Sequence, residues 1–566
     1  MRMATRVVLI AALAISIVSS ISGQRSGKPP LSAADIDAIA TLLKLEDTRQ
    51  FDEATLARLI TSTHPEVKRR AIVSVGRIVN ENGRALLASL HGETDAELLA
   101  TVAFATGQLK DPAAVSWLSD VLNQPKTPVA AAREAAQALG KIRTPEAHAA
   151  LAHYLLTAPT APAAATIVGE ALLSIGRFTT KDDLAPIARW TTARDVNVRW
   201  RAAWALFRPR DPAAVQPLLK MSADAAPDVR FWALRGLAPE LVDQSGLSRA
   251  DASARLRQAV NDPDRRVRTE AIRALVMYDD DASFEAVVNA LASSDTWLSV
   301  SAAEKLDRFS TRAEVAVPAL VAASAAGKPL SLRVSALTPL VSLSPDSARS
   351  LAAALGQDAS VVAQQASAQA VRQLDAAAAR AVQAASGQSG RSGGAPTAGR
   401  SGGSPRPALT ARTDAAYRDL VTTWIVPDYN GAPRPHVVLN TRRGAVELEL
   451  FPGDAPFGVD YLLKVIASGE IVNTEFGRVV PNFVAQQRAI RTDGTLRDEV
   501  NRRGLVRGTL SWASSGLDTG RPGYTLASTP QPHNEGDFTA LGRVVNGLDV
   551  VDRIELGDRI TGARKK

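Results

Sequence analysis

A helix-forming pattern recurs along residues 31–385 and restricts this part of the chain to a repeat architecture. Each copy has a polar start, an apolar residue that is often followed by arginine, and an alanine-rich run. The apolar position falls at Val67, Leu98, Val129, Val198, Val229, Val267 and Leu298. Most neighbours in this set are 31 residues apart. Since the β-branched residues are mostly single and helix-spaced, the pattern excludes an all-β structure and predicts stacked helical units.

Copies such as residues 195–202 and 264–271 resemble HEAT repeats, which are pairs of antiparallel helices stacked into a right-handed solenoid. The resemblance implies an all-α solenoid over residues 31–385. The Asp or Pro at the start of a copy predicts an N-cap or first-turn residue. Small residues such as Gly140 predict close approach of neighbouring helices. We expect the arginine after the apolar position to pair with an acid of the next repeat; these arginines are Arg199, Arg230 and Arg268.

Tryptophans concentrate in the middle of the repeat region. They are Trp190, Trp200, Trp204, Trp232 and Trp297. One interpretation is that their rings fill gaps between alanine-rich helices. The other is that some of them line the concave face and bind extended peptide. We see no catalytic constellation in this region, and His148 and His153 lie on different helix faces, which makes them poor metal ligands.

The first 23 residues have the features of a secretory signal peptide. Arg2 and Arg6 precede the apolar run 7–18, and small residues that include Ser20 and Ser22 follow it. The run is shorter than the ~20 residues that a membrane-spanning helix needs. We therefore predict cleavage near Ser22 and a protein exported to the periplasm or secreted, with a retained membrane anchor as the alternative.

The net charge of +8 is not spread over the folded regions. Residues 1–30 and 386–412 each contain four Lys or Arg and no acid, whereas the acids and bases of the remaining ranges are equal in number. A nucleic-acid-binding surface is therefore not expected. The chain contains no cysteine, which excludes disulfides, thiolate nucleophiles and cysteine–metal sites.

Residues 386–412 form a stretch rich in Gly and Ser that predicts a flexible linker. We divide the chain into the solenoid at 31–385, this linker, and a second domain at 413–566. Because the linker composition is that of a coil with a root-mean-square span of roughly 30 Å, we predict that the two domains are tethered rather than rigidly docked. A short helix is predicted for residues 414–424.

One stretch of the second domain, residues 474–487, places unusual polar side chains in an extended segment. Arg478, Phe483 and Gln486 lie at offsets 0, +5 and +8, and Pro481 breaks the run once. A strand with a buried face rarely uses Arg and Gln on that face. The pattern therefore predicts that a charged donor, an aromatic ring and an amide reach one cleft.

The same stretch resembles the signature of the cyclophilins, which reads Phe-His-Arg, two β-branched residues, Pro, one variable residue, Phe, two variable residues and Gln. Flanking blocks support the resemblance: a hairpin over 437–451 with Gly444 in its turn, a helix over 457–466, the segment 507–513, and a closing strand and helix over 539–552. The resemblance covers roughly residues 435–556. It implies a closed eight-stranded antiparallel β-barrel with capping helices.

The resemblance also implies peptidyl-prolyl cis–trans isomerase activity on proline-containing polypeptides, without a cofactor or metal. It assigns the catalytic arginine to Arg478. It assigns substrate contacts to Phe483, Val484, Gln486, Ala513, Ser514, Tyr524, His533 and Phe538. An alternative for Arg478 is a relic side chain that is held by a surface acid.

Several positions depart from the cyclophilin pattern. Gly477 replaces the His before the arginine, Asn534 replaces an apolar pocket residue, Pro522 interrupts the segment 520–524, and the loop after Gln487 is shortened. Three hypotheses therefore remain open. The domain is an isomerase whose solenoid binds clients or partners, or a weakened module that only binds proline-containing peptide, or an accessory to a solenoid that carries the function.

Overall fold

The computed structural model describes residues 27–178, 183–385, 412–490 and 494–566. The predicted signal peptide (1–23) and almost all of the predicted linker (386–412) lie outside the described residues. Within the described ranges, no helix combines the length and the apolar character that crossing a bilayer requires.

The region between residues 33 and 385 is a helical solenoid, as predicted. Its helices are α1 (Ala33–Thr48), α2 (Glu53–Ile60), α3 (Pro65–Ile78), α4 (Gly83–Ala88), α5 (Ala96–Leu109), α6 (Val115–Asn123), α7 (Val129–Ile142), α8 (Pro145–Thr157), α9 (Ala165–Ile175), α10 (Ala185–Ala188), α11 (Val196–Phe207), α12 (Val215–Met221), α13 (Pro227–Leu234), α14 (Pro239–Gln244), α15 (Arg249–Ala259), α16 (Arg265–Leu275), α17 (Asp281–Leu291), α18 (Thr296–Ala303), α19 (Ala313–Ala323), α20 (Leu330–Leu343), α21 (Pro345–Gly356) and α22 (Val361–Ala385). Short 3₁₀ turns also occur at Pro112–Ala114, Pro162–Ala164, Pro212–Ala214 and Leu306–Arg312.

The helices form two layers, and one of them, which we call the inner layer, packs against the second domain. The inner layer consists of α1, α3, α5, α7, α9, α11, α13, α16, α18, α20 and α22, each in contact with the next. Its helices begin as predicted. Asp195 and Asp264 cap α11 and α16 by accepting hydrogen bonds from the backbone N–H groups of Asn197 and Arg266, and Pro227 lies in the first turn of α13.

Arginine–aspartate pairs connect successive repeats, which confirms the predicted role of these arginines. The pairs are Arg199–Asp224 at 2.8 Å, Arg230–Asp262 at 2.7 Å and Arg268–Asp295 at 2.7 Å. The tryptophan rings fill space between helices, since Trp190, Trp200, Trp204, Trp232 and Trp297 are all buried. Because buried rings cannot present a binding face, the interpretation of these residues as a peptide-binding surface is wrong.

Glycines in the inner layer allow adjacent helices to touch at the backbone, as predicted. A Cβ atom added to Gly107 would lie 2.8 Å from the Cα of Ala138. A Cβ atom added to Gly140 would lie 2.6 Å from the Cβ and 2.8 Å from the Cα of Ser174. The contacting atoms belong to the neighbouring backbone or its first side-chain atom, so they cannot move aside independently of the helix.

We therefore expect Gly140→Val to destabilise the solenoid by about 1–3 kcal/mol, because the added side chain forces α7 and α9 apart. The melting temperature of the full chain measures this effect. Gly92→Val is the matched control, since a Cβ atom at Gly92 meets nothing within 4 Å. Equal melting temperatures for the two variants would show that the close helix contact is unimportant.

From residue 436 onwards the second domain consists of one antiparallel sheet and two helices. The strands are β1 (His436–Thr441), β2 (Gly444–Leu450), β3 (Phe476–Val480), β4 (Val484–Gln487), β5 (Thr509–Ala513), β6 (Arg521–Ala527), β7 (Ala540–Asn546) and β8 (Ile560–Lys565), in the order β3-β4-β6-β5-β7-β2-β1-β8. The predicted hairpin is β1–β2 with Gly444 in its turn, where φ is +132°. The predicted helix is Pro456–Ser468, and a second helix spans Leu548–Arg553.

The sheet does not close into the predicted barrel. It has the predicted eight antiparallel strands, but it is a curled half-barrel with two edges. Strands β3 and β8 share no ladder. They approach only at one end, where Glu475 forms an isolated bridge with Arg559 and the backbone N–H of Phe476 donates to the carbonyl of Asp558 at 2.8 Å. The remaining length of each edge is therefore not paired with the other edge.

The segment that precedes the sheet packs on the solenoid. A helix at Asp414–Leu420, a π-turn at Val421–Ile425 and a short helix at Val426–Tyr429 match the predicted helical segment. Tyr417 and Leu420 join the apolar cluster around α1, and the Tyr417 hydroxyl donates to Asp47 Oδ2 at 2.8 Å.

The curled sheet is docked against the inner layer, so the prediction of two merely tethered domains is wrong. Contacts extend from Arg49, which donates to the Asp518 carboxylate at 2.7 Å, to Ser360, which donates to Glu475 Oε2 at 3.1 Å. Because helices from α1 to the start of α22 reach the same small domain, the solenoid must curve around it. Composition did not reveal this docking because both domains are nearly neutral and the complementarity is local.

Solenoid arginines make many of these contacts by donating to backbone carbonyl groups of the second domain. Arg77 on α3 is buried and donates to the carbonyls of Val500 at 2.9 Å, Asp454 at 2.7 Å and Glu499 at 3.2 Å. It also pairs with Glu46 on α1 at 3.0 Å. A planar guanidinium suits such a contact because it supplies several donors in fixed directions.

The buried carboxyl of Asp498 makes this interface sensitive to pH. Burial, together with the nearby charge of Asp518, raises the pKa of Asp498 to about 7, although Arg49 opposes the shift. A raised pKa means that the folded state favours the protonated acid, so this contribution to stability is lost as the pH rises through about 7.

We expect the melting temperature of the wild type to fall by about 2 °C relative to Asp498→Asn between pH 5 and pH 8, because the amide cannot ionise. Calorimetry of the full chain at a series of pH values measures the difference. Asp120→Asn, at an exposed position on α6, should follow the wild type. Parallel curves for the wild type and Asp498→Asn would contradict the assignment.

Candidate functional site

The candidate site is an open cleft at one face of the curled sheet, with a volume of about 610 Å³. The structure brings most of the predicted residues to this cleft. Those that line it are Arg478, Phe483, Val484, Gln486, Ala513, Ser514 and Phe538. They come from β3, β4, the end of β5 and the loop before β7, which are far apart in the sequence.

A β-bulge places the arginine and the glutamine side by side. Phe476 pairs with Gln487, but the register shifts at Gly477, so that Arg478 pairs with Gln486 across the two strands. Directly opposed residues on antiparallel strands project to the same face. Gly477 leaves room for the neighbouring Arg488 side chain, since a Cβ atom at this position would lie 2.2 Å from the Cγ of Arg488 and would force that side chain to move. The replacement of the family's histidine by glycine therefore fits the local packing.

Arg478 presents an exposed charge to the cleft. Its Nη1 donates to Gln486 Oε1 at 3.4 Å, and its guanidinium carbon lies 5.3 Å from the centre of the Phe483 ring. Among the described residues Arg478 forms no ion pair with an acid. The alternative of a relic arginine held by a surface acid is therefore wrong, and the guanidinium is available to a ligand.

The wall around Phe483 is fixed by hydrogen bonds to its backbone. The carbonyl of Phe483 accepts from the Gln531 side chain at 3.1 Å and from the Ser528 backbone at 2.9 Å. Asn534 lines the cleft and donates to Gln531 Oε1 at 3.0 Å. The side-chain amide of Asn534 therefore has a hydrogen-bond partner within the wall, which lowers the free-energy cost of a polar residue at this position.

Tyr524 does not line the cleft, which corrects its predicted role. Alternate side chains of a strand point to opposite faces, and on β6 the cleft is lined by Arg521, Gly523 and Thr525. Tyr524 points the other way, into the core, where its ring centre lies 4.7 Å from that of Trp512. The predicted segment is therefore next to the cleft, but Tyr524 itself faces the core, so its prediction as a substrate contact is wrong.

His533 also lies outside the cleft, although it supports one wall. Its imidazole stacks on Phe483 with ring centres 5.7 Å apart. Partial burial, together with the charges of Arg208, Arg235 and Arg177 of the solenoid, lowers the pKa of His533 to about 4. The imidazole is therefore neutral at neutral pH.

Two residues of the site region, Gln531 and Asn482, were not predicted from the sequence. Gln531 lines the cleft and fixes Phe483. Asn482 forms the turn between β3 and β4 with a positive φ of 61°, and its side-chain amide donates to Glu270 on α16 at 3.0 Å. Asparagine tolerates a left-handed conformation, so the turn was a possible signal for Asn482, whereas nothing local indicated its solenoid partner.

The described part of the chain contains no group of three or more His, Asp or Glu side chains that could hold a metal ion. The cleft itself presents the guanidinium groups of Arg478 and Arg521, the aromatic ring of Phe483 and the amide of Gln486. Such a set can bind an extended peptide and place a hydrogen-bond donor against one of its backbone atoms.

Comparison with known proteins separates the chain into the same two parts. Residues 436–565 match the model of the family described as cyclophilin type peptidyl-prolyl cis-trans isomerase/CLD. The model for HEAT repeats matches in the solenoid at 53–135, 83–169, 165–238 and 221–307.

Curated relatives match the second domain. A peptidyl-prolyl cis-trans isomerase of Helicobacter pylori is 32% identical over 152 residues, which cover 25% of this chain and 93% of the relative. Peptidyl-prolyl cis-trans isomerase B of Bacillus subtilis is 33% identical over 121 residues, which cover 20% of this chain and 85% of the relative. A crystal structure of a Cryptosporidium parvum cyclophilin type peptidyl-prolyl cis-trans isomerase is 21% identical, with a TM-score of 0.23, and the match covers 24% of this chain and 98% of that one.

Proposed function

Through its residues 436–565 this chain belongs to the cyclophilin-type peptidyl-prolyl cis-trans isomerase family, and we propose that its cleft isomerises X–Pro bonds in polypeptide clients. The observation that carries the proposal is the convergence of Arg478, Phe483 and Gln486 on one open cleft, with Arg478 free of any acid partner among the described residues.

The reaction requires no nucleophile, because the barrier of ~18–20 kcal/mol arises from the amide resonance that rotation must break. In the twisted state the prolyl nitrogen becomes pyramidal and can accept a hydrogen bond. Arg478 donates to that nitrogen, which stabilises the twisted state more than either planar state. Preferential binding of this state accelerates the rotation.

The other cleft residues hold the substrate on either side of the rotating bond. Phe483 and Val484 contact the proline ring, which stays in place while the preceding residue rotates. Gln486, which is paired across the strands with Arg478, binds the substrate backbone with its amide. Ala513 and Ser514 at the end of β5 offer backbone groups to the peptide main chain.

We further propose that the clients are exported polypeptides and that the solenoid is a scaffold for clients or for a partner protein. The features of residues 1–23 support export to the periplasm or outside the cell. Because the inner layer contacts the curled sheet, a partner of the solenoid would bind the outer layer or the edges of the repeat array.

A module that only binds proline-containing peptide is the second candidate. The observation that favours it is the polar pocket residue Asn534, which reduces the apolar surface offered to the proline ring. The two candidates differ in their effect on a protein whose refolding is limited by an X–Pro bond, a process that takes tens of seconds without a catalyst.

The full-length protein should accelerate that slow refolding phase when it is added in substoichiometric amounts. A binding module would leave the rate constant unchanged or would retard refolding as its concentration approaches that of the client. A rate that never rises above the uncatalysed value would contradict the isomerase proposal.

A further inference from the structure

Basic side chains lie at the C-terminal ends of four successive inner-layer helices. We define this row as the basic ridge. It consists of Lys110 after α5, Lys141 and Arg143 at the end of α7, Arg177 after α9 and Arg208 after α11. Cations stabilise the negative end of a helix dipole, which explains why each helix tolerates one there. Because these helices pack side by side in the order α5, α7, α9 and α11, their ends share one edge of the solenoid.

The basic ridge directly contacts the loop that supports the cleft. Arg177 Nη2 donates to the carbonyls of Pro532 at 3.2 Å and Glu535 at 2.7 Å. Lys141 donates to the carbonyl of Gly536. His533 lies between these anchored residues and stacks on Phe483 of the cleft wall. One side chain therefore separates the ridge from the pocket for the proline ring.

The ridge has more positive charge than its neighbours neutralise. Among the described residues, the one acid paired with it is Asp537, which lies 3.6 Å from Lys141 and 3.8 Å from Arg177. Lys110, Arg143 and Arg208 are exposed and form no ion pair in the described ranges. An anion that approaches this edge would therefore meet cations that lack a competing carboxylate.

Two further observations indicate a positive potential at this edge. Nη1 of the buried Arg177 makes no hydrogen bond within the described structure, and the Asp537 carboxylate that faces it is 3.8 Å away. Partial burial, together with the adjacent charges of Arg143 and Arg177, lowers the pKa of Arg208. Like charges that are held close together gain free energy when an anion binds between them.

We propose that the basic ridge binds acidic residues of the polypeptide whose proline occupies the cleft, so that clients with Asp or Glu near the X–Pro bond are preferred. This inference rests on the proposed function and adds a substrate class to it. The position of the ridge beside a peptide cleft favours an acidic peptide over a nucleic acid, and outside residues 1–30 and 386–412 acids and bases are equal in number.

The spacing of the ridge predicts the spacing of the acids. Neighbouring packed helices lie about 8–10 Å apart, and an extended peptide advances about 3.3 Å per residue. Cations on successive helices are therefore matched by acidic residues roughly three positions apart. A peptide with glutamates at every third position on both sides of an Ala–Pro core is a suitable probe, and its matched control has glutamine at the same positions.

Fluorescence anisotropy with the full-length protein should give a Kd for the glutamate peptide about fivefold lower than for the glutamine peptide at low salt, since several exposed charge pairs contribute. The ratio should approach one at about 0.5 M salt, where the Debye length is only a few ångströms. Equal Kd values at low salt would overturn the proposal.

Arg208→Glu tests the ridge itself, because it reverses an exposed charge without altering a buried contact with the second domain. In this variant the Kd of the glutamine peptide divided by that of the glutamate peptide should fall to one or below. Arg194→Glu is the matched control, since Arg194 is an exposed residue before the other end of the same helix, and the helix between the two positions is roughly 18 Å long. A preference that survives Arg208→Glu, or that is lost equally with Arg194→Glu, would contradict a site at the ridge.

The same peptides separate this inference from the proposed function. If the protein accelerates cis–trans exchange in both peptides and binds them with equal Kd values, the proposed role of the basic ridge is wrong and the isomerase proposal stands. If the glutamate peptide binds more tightly but cis–trans exchange is not accelerated, the proposed role of the basic ridge stands and the isomerase proposal is wrong. A single-stranded oligonucleotide that binds the ridge more tightly than the glutamate peptide would overturn the assignment to acidic peptide.

Discussion

Replacing Arg478 with alanine should lower kcat/KM for an Ala–Pro peptide about a hundredfold, which is the usual cost of removing a donor that acts on the transition state. The guanidinium is the cation of the cleft that is paired across the strands with Gln486 and stacked over Phe483. The loss should lie mainly in kcat, because the donor contributes most when the prolyl nitrogen is pyramidal. Exchange kinetics measured over a range of peptide concentrations separate kcat from KM.

Two variants serve as controls for Arg478→Ala. Arg543→Ala removes an exposed arginine of β7 that pairs with Glu449, and it should keep the wild-type rate. Arg478→Lys keeps the charge but loses the planar guanidinium, so it should restore only part of the activity. If Arg478→Ala retained the wild-type kcat/KM, the proposed role of this residue would be wrong.

Arg77→Ala should have the largest effect on the docking of the two domains. The change removes the donor for three carbonyl groups of the second domain and leaves the buried Glu46 without its arginine partner. Breaking a buried ion pair by removing one partner costs about 3–5 kcal/mol. Amide hydrogen exchange of residues 494–503 should therefore become faster, and the melting temperature of the full chain should fall.

Arg268→Ala is the matched control for docking. Arg268, like Arg77, pairs with a carboxylate of the solenoid, but its partner is Asp295 of the next repeat. Its removal should leave hydrogen exchange of residues 494–503 unchanged. Unchanged exchange in Arg77→Ala would show that other contacts, such as Arg49–Asp518, are sufficient to hold the domains together.

Local patterns predicted the parts of the structure that depend on neighbours in sequence. The helix starts at Asp195 and Asp264 follow from capping chemistry, and the β1–β2 hairpin follows from Gly444 between two alternating runs. The meeting of Arg478 with Gln486 follows from two strands joined by a tight turn. In each case the determining residues lie within about ten positions of one another.

The features that depend on distant residues could not be predicted in the same way. The direction of Tyr524 depends on the register of β6 against β4 and β5, and an error of one residue reverses the face. The docking depends on carbonyl groups such as that of Val500 meeting Arg77 across 423 positions. Gln531 and Asn482 both donate to backbone carbonyl groups, those of Phe483 and Arg266. Since no side-chain pattern marks which carbonyl groups accept such bonds, neither residue was predicted from the sequence.

Because of the docking, the cleft is not independent of the solenoid. Asn482 on one side of Phe483 bonds to Glu270, and the 532–536 loop on the other side bonds to Arg177. The solenoid therefore holds both sides of the cleft wall around Phe483. Activity measured on the full-length protein reports the cleft in this supported form.

The most direct test of the central claim is the rate of cis–trans exchange at the Ala–Pro bond of a short peptide. NMR exchange spectroscopy measures this rate with and without substoichiometric full-length protein. We predict exchange that becomes faster in proportion to the protein concentration, far above the uncatalysed process that takes tens of seconds. Shifted peptide resonances with an unchanged exchange rate would contradict catalysis and identify the cleft as a site that only binds proline-containing peptide.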